Sequence, residues 1–199
     1  THESSPIHFG AKVQKRILCN PIPTPDASLQ DMITPPTPDA SLTQREQIEN
    51  LTNQGQCASC HSKINPLGFA AQNIDAFGRF TEVEEVFDDE GNKLATHFLD
   101  TQVENTELFP GDNQNVTGLR ELSEHIVESG KASACVSKHY FNYTFGRADN
   151  ESLGGCDKES MRQSLTDPRG TLKSFLKSAA ELDSFKTRRF TPDPADGGS

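Results

Sequence analysis

Gln56-Cys57-Ala58-Ser59-Cys60-His61 is the stretch on which the reading of this chain turns. It contains Cys-x-x-Cys-His, the attachment pattern of c-type haem. Two thiols three positions apart share one side of a helical turn, where they can add to the two vinyl groups of a single porphyrin. The next residue, His61, then lies under the ring, with an imidazole nitrogen available to the iron. Two other chemistries use Cys-x-x-Cys. A zinc site needs two further ligands; Cys135 and Cys156 are available, but they are not a close pair, and His61 is left without a role. A redox dithiol belongs in a βαβ context, which this sequence lacks. The pattern therefore predicts one covalent haem c on Cys57 and Cys60, with His61 as an axial iron ligand.

The chain has 199 residues, enough for one domain and a small appendage. Hydrophobic residues make up only 33% of it, beside 14 glycines and 12 prolines. That is thin for a conventional core, and a covalently held haem would supply a large apolar body to pack against. The net charge of −10 argues against nucleic acid and against an anionic membrane surface. It suits a basic partner, or solubility alone. No apolar run approaches the length of a membrane span. The chain starts at Thr and shows no signal peptide, so we expect a mature or excised segment.

With Cys57 and Cys60 assigned, Cys19, Cys135 and Cys156 remain of the five cysteines. The expected disulfide is Cys135–Cys156, across a junction that holds Gly146, Gly154 and Gly155. Cys19 would be left over, buried or reactive. A disulfide beside a c-type haem places the protein outside the cytoplasm, periplasmic or extracellular.

Along the chain, residues 6–18 read as a short helix with Pro6 in its first turn. Residues 20–42 hold Pro21, Pro23, Pro25, Pro35, Pro36 and Pro38 and repeat Pro-Thr-Pro-Asp-Ala-Ser-Leu at 23–29 and 36–42. They read as an extended, polyproline-like arm. Thr43-Gln44-Arg45-Glu46 has the form of a capping box opening a helix toward the haem pattern. Ser62 to Phe69 reads as a turn, with Pro66 and the carbonyls around it accepting the second N–H of His61. A β-hairpin is expected over residues 80–103, turning at 88–92. A polar loop follows through residue 116. Leu119, Leu122 and Ile126 mark a helix ended by Gly130; residues 132–145 mark another, ended by Gly146; a last one covers 171–185. The fold class is mainly α, a cytochrome c-like helical haem domain with a small β-hairpin insertion and the proline-rich arm. The expected division is 1–42, N-terminal helix and arm; 43–147, haem-binding core; 148–190, C-terminal helical extension; and 191–199, linker.

Several runs occur in one order: Arg16-Ile17-Leu18-Cys19-Asn20-Pro21; the Cys57–His61 pattern with Ile64-Asn65-Pro66-Leu67-Gly68-Phe69-Ala70; Asp75-Ala76-Phe77-Gly78-Arg79; Cys135-Val136 through Tyr143-Thr144-Phe145-Gly146-Arg147; and Ser184-Phe185-Lys186-Thr187-Arg188. Over residues 6–190 this resembles the paired domains of unknown function in planctomycete-type, large secreted bacterial cytochrome c proteins. The resemblance implies a mono-haem module of a long multidomain protein. Some such proteins carry carbohydrate-binding modules and are suspected of passing electrons to secreted polysaccharide-degrading oxidases.

The sixth iron ligand is open at this stage. Small cytochromes c place a Met between the haem pattern and the C-terminal helix, yet residues 62–134 contain none. Met32 lies in the arm and could fold back over the haem, and Met161 reads as a solvent-side or core helix residue rather than a ligand. His97 leads because it lies where a ligand loop is expected, and His139 follows, on an aromatic helix. A water-bound or open iron is the remaining alternative. Arg79 and Arg147 each follow Phe-Gly and are candidates for the haem propionates; the competing role for both is capping of their own turns.

Two functions of different class follow. The first is an electron-transfer module with both axial positions filled, serving a redox partner protein. The second is a haem enzyme or sensor with an open iron position that binds peroxide or a small gas. The single Cys-x-x-Cys-His and the lack of an evident acid–base pair favour the first.

Overall fold

The computed structural model describes residues 5–25, 39–88, 90–146 and 154–186. They are mainly helical, with a small antiparallel sheet, as the sequence predicts. The chain divides into two compact units, Thr1–Lys131 and Ala132–Ser199.

In the first unit, α1 (Pro6–Lys12) starts with Pro6 at its first turn and runs straight into a π-helical turn, Val13–Ile17. Thr43 then caps α2 (Gln44–Thr52) with the predicted box. Its hydroxyl oxygen accepts from the Glu46 N–H at 3.1 Å, and its own N–H donates to the Glu46 carboxylate at 2.7 Å. That bond from the Thr43 N–H is the main reason the Glu46 carboxyl lies below its ordinary range.

The helix of the haem pattern, α3, covers Gly55–Phe69. This corrects the expected turn after His61, because the helix continues through Pro66. Proline removes one helical N–H and crowds the preceding turn, so tertiary support has to hold the backbone. Two glycines supply it by letting α1 and α3 touch backbone to backbone. A Cβ on Gly10 would meet the Ile64 carbonyl, and one on Gly68 would meet the carbonyl of Pro6. The buried Gln14 adds a bond from Nε2 to the Lys63 carbonyl at 2.8 Å.

Strands β1 (Val83–Phe87) and β2 (Lys93–Phe98) form the predicted hairpin, with Val83 opposite Phe98 and Glu85 opposite Thr96. Its turn is closed by Asp88, which accepts from the Asn92 N–H at 2.7 Å. A second pairing was not foreseen: β3 (Gln102–Val103) lies antiparallel to β4 (Val116–Thr117). Between them the supposed polar loop folds inward, with Thr106, Leu108 and Asp112 buried. Helix α4 (Gly118–Glu128) buries Leu122 and Ile126, four residues apart on one face.

The second unit contains α5 (Lys131–Phe145) from its second residue on, α6 (Gly155–Thr166), α7 (Leu172–Glu181) and the short α8 (Asp183–Lys186). Phe141, Met161, Phe175, Ala179 and Leu182 form its core, which makes Met161 a core residue and not a solvent-side one. The last helix breaks at Leu182, whose backbone turns extended.

The disulfide joins Cys19 to Cys135, and Cys156 is a free, exposed thiol. This corrects the expected Cys135–Cys156 bridge. Cys135 is 2% exposed on α5, whereas Cys156 stands on the exposed first turn of α6. Spacing along the chain carried no information about which thiols meet.

Candidate functional site

Cys57, Cys60 and His61 all stand on α3, and the three-residue spacing of the cysteines puts both thiols on one side of the helix. Both are free thiols, half-buried. His61 is half-buried as well.

The imidazole is held from within its own helix. Nδ1 of His61 lies 2.9 Å from Oδ1 of Asn65, one turn on. Nδ2 of Asn65 donates to the Thr52 hydroxyl at 2.8 Å, and that hydroxyl donates to the Ile48 carbonyl at 2.7 Å. This corrects the expected role of Pro66. Its carbonyl accepts the Ala70 N–H at 3.1 Å and closes the helix end instead. Asn65 was missed because the stretch after His61 read as a turn. In a helix, positions 61 and 65 are neighbours, and that spacing was visible in the sequence.

Two concavities flank this helix. A cleft of about 420 Å³ is lined by His61, Asn65, Pro66 and Phe69 together with Val103 and Val116. Arg45 stands at it, donating to the Gln102 carbonyl at 2.8 Å and to Glu49 at 3.1 Å, with its guanidinium 4.9 Å from the centre of the Phe69 ring. A second cleft of about 610 Å³ is lined by Cys60, with Pro21, Ile22, Pro23, Leu108, Phe109 and Pro110 on its apolar wall. Consecutive residues of one helix thus serve two cavities. The thiol pair and the tethered imidazole are a donor set of the kind that holds a thioether-linked haem, and the apolar wall lies on the Cys60 side of the helix.

The other predicted residues are placed elsewhere. Arg79 donates from Nε to Asp75 at 2.7 Å, and its guanidinium lies 5.2 Å from the centre of the Phe77 ring. The Asp75 carboxyl, held low chiefly by the Arg79 backbone N–H, closes that turn. Arg79 lines neither cleft, and turn capping is the role its contacts fit. His97, on β2, has Nε2 at 3.0 Å from the Ala40 carbonyl and also lines neither cleft. His139 belongs to the second unit. Arg147 and Met32 lie outside the described residues. No described helix is long and apolar enough to cross a membrane.

A family model described as PSCyt3, protein of unknown function (DUF1588), matches residues 1–84. This is a planctomycete-type, cytochrome c-associated domain family, and the matched stretch, less than half of the chain, contains Cys57 to His61. No curated protein and no solved structure matches the chain.

Proposed function

We propose that this chain is a mono-haem c-type cytochrome module, with Cys57 and Cys60 as the thioether residues and His61 as an axial ligand. The observation that carries the reading is the state of α3: two free thiols on one side, and a following imidazole with one nitrogen tied and the other available. The bound haem would supply reversible one-electron exchange. The chain's part is to hold the ring through Asn65, to shield one side with the apolar wall around Ile22, Leu108 and Phe109, and to keep water from the thioethers. The module serves an unidentified redox partner protein, as part of a longer secreted protein, with a polysaccharide-degrading oxidase as one acceptor. The Cys19–Cys135 disulfide supports a periplasmic or extracellular setting.

A specific observation keeps the second reading, an open iron that binds peroxide or a small gas. His97, first among the sixth-ligand candidates, is already engaged with the Ala40 carbonyl. The test is production in cells competent in haem attachment, then mass spectrometry of the denatured chain and spectra with and without carbon monoxide. One covalent haem and a low-spin spectrum indifferent to carbon monoxide are expected. An unmodified mass would sink the haem reading, and a high-spin iron that takes up carbon monoxide would move the function to the sensor or enzyme class. His97→Ala, compared with His139→Ala and Met32→Ala, then identifies the distal ligand by which change alters the spin state.

A further inference from the structure

We propose that Asn65 is a positioning residue that selects Nε2 of His61 as the iron-binding nitrogen and sets the reduction potential of the bound haem. This rests on the haem reading above and goes beyond it in naming the residue and its physical action. The argument is one of donors and acceptors. The Ile48 carbonyl can only accept, and Thr52 has a single hydroxyl proton, directed at that carbonyl over 2.7 Å. The Thr52 oxygen is left to accept, so the end of Asn65 facing it at 2.8 Å is the NH2. The amide is thereby fixed with Oδ1 toward His61, 2.9 Å from Nδ1. A carbonyl oxygen cannot donate, so Nδ1 carries the ring proton and Nε2 carries the lone pair. The orientation follows from a helix carbonyl three steps away and needs no choice between amide flips. Thr52 and Asn65 are 7% and 4% exposed, so bulk water does not compete for these bonds.

The choice of an amide has an electronic consequence. A carboxylate at this position would draw on the Nδ1 proton, push electron density onto the ring and favour the oxidised iron. A neutral amide anchors the ring with less of that donation and holds the potential higher.

The test uses the haem-bearing chain and compares the parent with Asn65→Asp, Asn65→Leu, Thr52→Val and Thr52→Ser. Potentials are measured by spectroelectrochemistry, and the His61 Nδ1–H exchange rate by NMR of the reduced form. Asn65→Asp, nearly isosteric, should shift the potential down. Asn65→Leu should shift it up and speed Nδ1–H exchange. Thr52→Val should follow Asn65→Leu in direction, and Thr52→Ser, which keeps the hydroxyl, should match the parent. Far-ultraviolet circular dichroism identifies any variant that fails to fold, and Asn65→Asp alone then decides. A loaded chain whose potential is unmoved by Asn65→Asp overturns the inference by itself. A chain with no haem mass removes the electron-carrier reading and this inference together.

Discussion

His125 on α4 sets its Nε2 against the Asp112 carboxylate, 3.1 Å from Oδ1 and 3.0 Å from Oδ2. Asp112 also accepts from the Leu108 N–H at 3.0 Å, the Thr106 hydroxyl at 2.8 Å and the Gln114 N–H at 3.1 Å. One buried carboxylate thus organises the loop that walls the cleft beside Cys60.

Acid should loosen that loop. Burial opposes ionisation of Asp112, but the bonds from His125, Leu108, Thr106 and Gln114 outweigh it and hold the carboxyl below its ordinary 3.8. A carboxyl lowered in the folded state contributes its stability above the unfolded value and loses it as pH falls through the folded one. Urea unfolding should therefore give a midpoint that drops below about pH 4 in the parent and drops less in Asp112→Asn. Asp112→Ala should cost about 3 kcal/mol at neutral pH, since it strands several buried donors. A stability profile of Asp112→Asn parallel to the parent's through the acid range would show that another carboxylate is responsible.

The crossing of α1 and α3 should tolerate no side chain. Gly10→Ala and Gly68→Ala each push a methyl group into a facing backbone carbonyl and should each cost about 2 kcal/mol or more. Gly155→Ala, where a Cβ meets open space, serves as the control and should be neutral within about 0.5 kcal/mol. Chemical denaturation measures all three, and a stable Gly10→Ala would contradict the backbone contact.

Cysteine variants should separate sharply. Non-reducing peptide mapping should join the Cys19 and Cys135 peptides, and the Cys19→Ser, Cys135→Ser double variant should lose about 2–4 kcal/mol. Cys156→Ser should be silent in stability while abolishing labelling by a thiol reagent at that exposed position. A Cys156-containing crosslinked peptide in the parent would reverse the assignment.

Phe141 and Gly154 should behave as a coupled pair. Gly154 holds φ at 74°, and a Cβ there would strike the Phe141 ring. Phe141→Ala should cost about 4 kcal/mol, as for a fully buried phenylalanine. Gly154→Ala should cost about 1–3 kcal/mol by overpacking and strain. The double variant should lose less than the sum, because truncating the ring removes the clash. Strict additivity in the cycle would refute the contact.

What could be read beforehand was local. The Thr43–Glu46 box, the Asp88–Asn92 turn and the Cys57–His61 spacing are each written within five consecutive residues, and each has a backbone consequence of its own. What escaped depended on partners distant in sequence. Pro66 read as a helix stop because the signals that overrule it, Gly10, Gln14 and the Pro6 carbonyl, lie some fifty residues away. With the helix cut short, the neighbourhood of His61 and Asn65 vanished and Pro66 took the anchor's role by default. The loop around Asp112 read only as a polar loop because its composition is polar. Its burial comes from hydrogen bonds that converge on one carboxylate. The disulfide escaped for the same reason: two cysteines far apart in sequence give no sign of each other.

Helix α3 is unevenly fastened. Its N-terminus at Gln54 has no side-chain cap, and Gly55 and Gln56 are exposed, whereas Ile64 to Phe69 is buried at all but Pro66. Local opening therefore costs least at the end that carries Cys57 and most at the end that carries Asn65. In hydrogen-exchange terms, amides 55–60 should trade with solvent well before amides 64–69. If the chain carries the haem proposed above, its thiols would be presented for attachment on a transiently unwound turn while the anchoring half of the helix stays folded. On the proposed haem reading, that gradient would set the order of maturation: thioether chemistry at the yielding end, beside an imidazole already tied to Asn65 at the firm one.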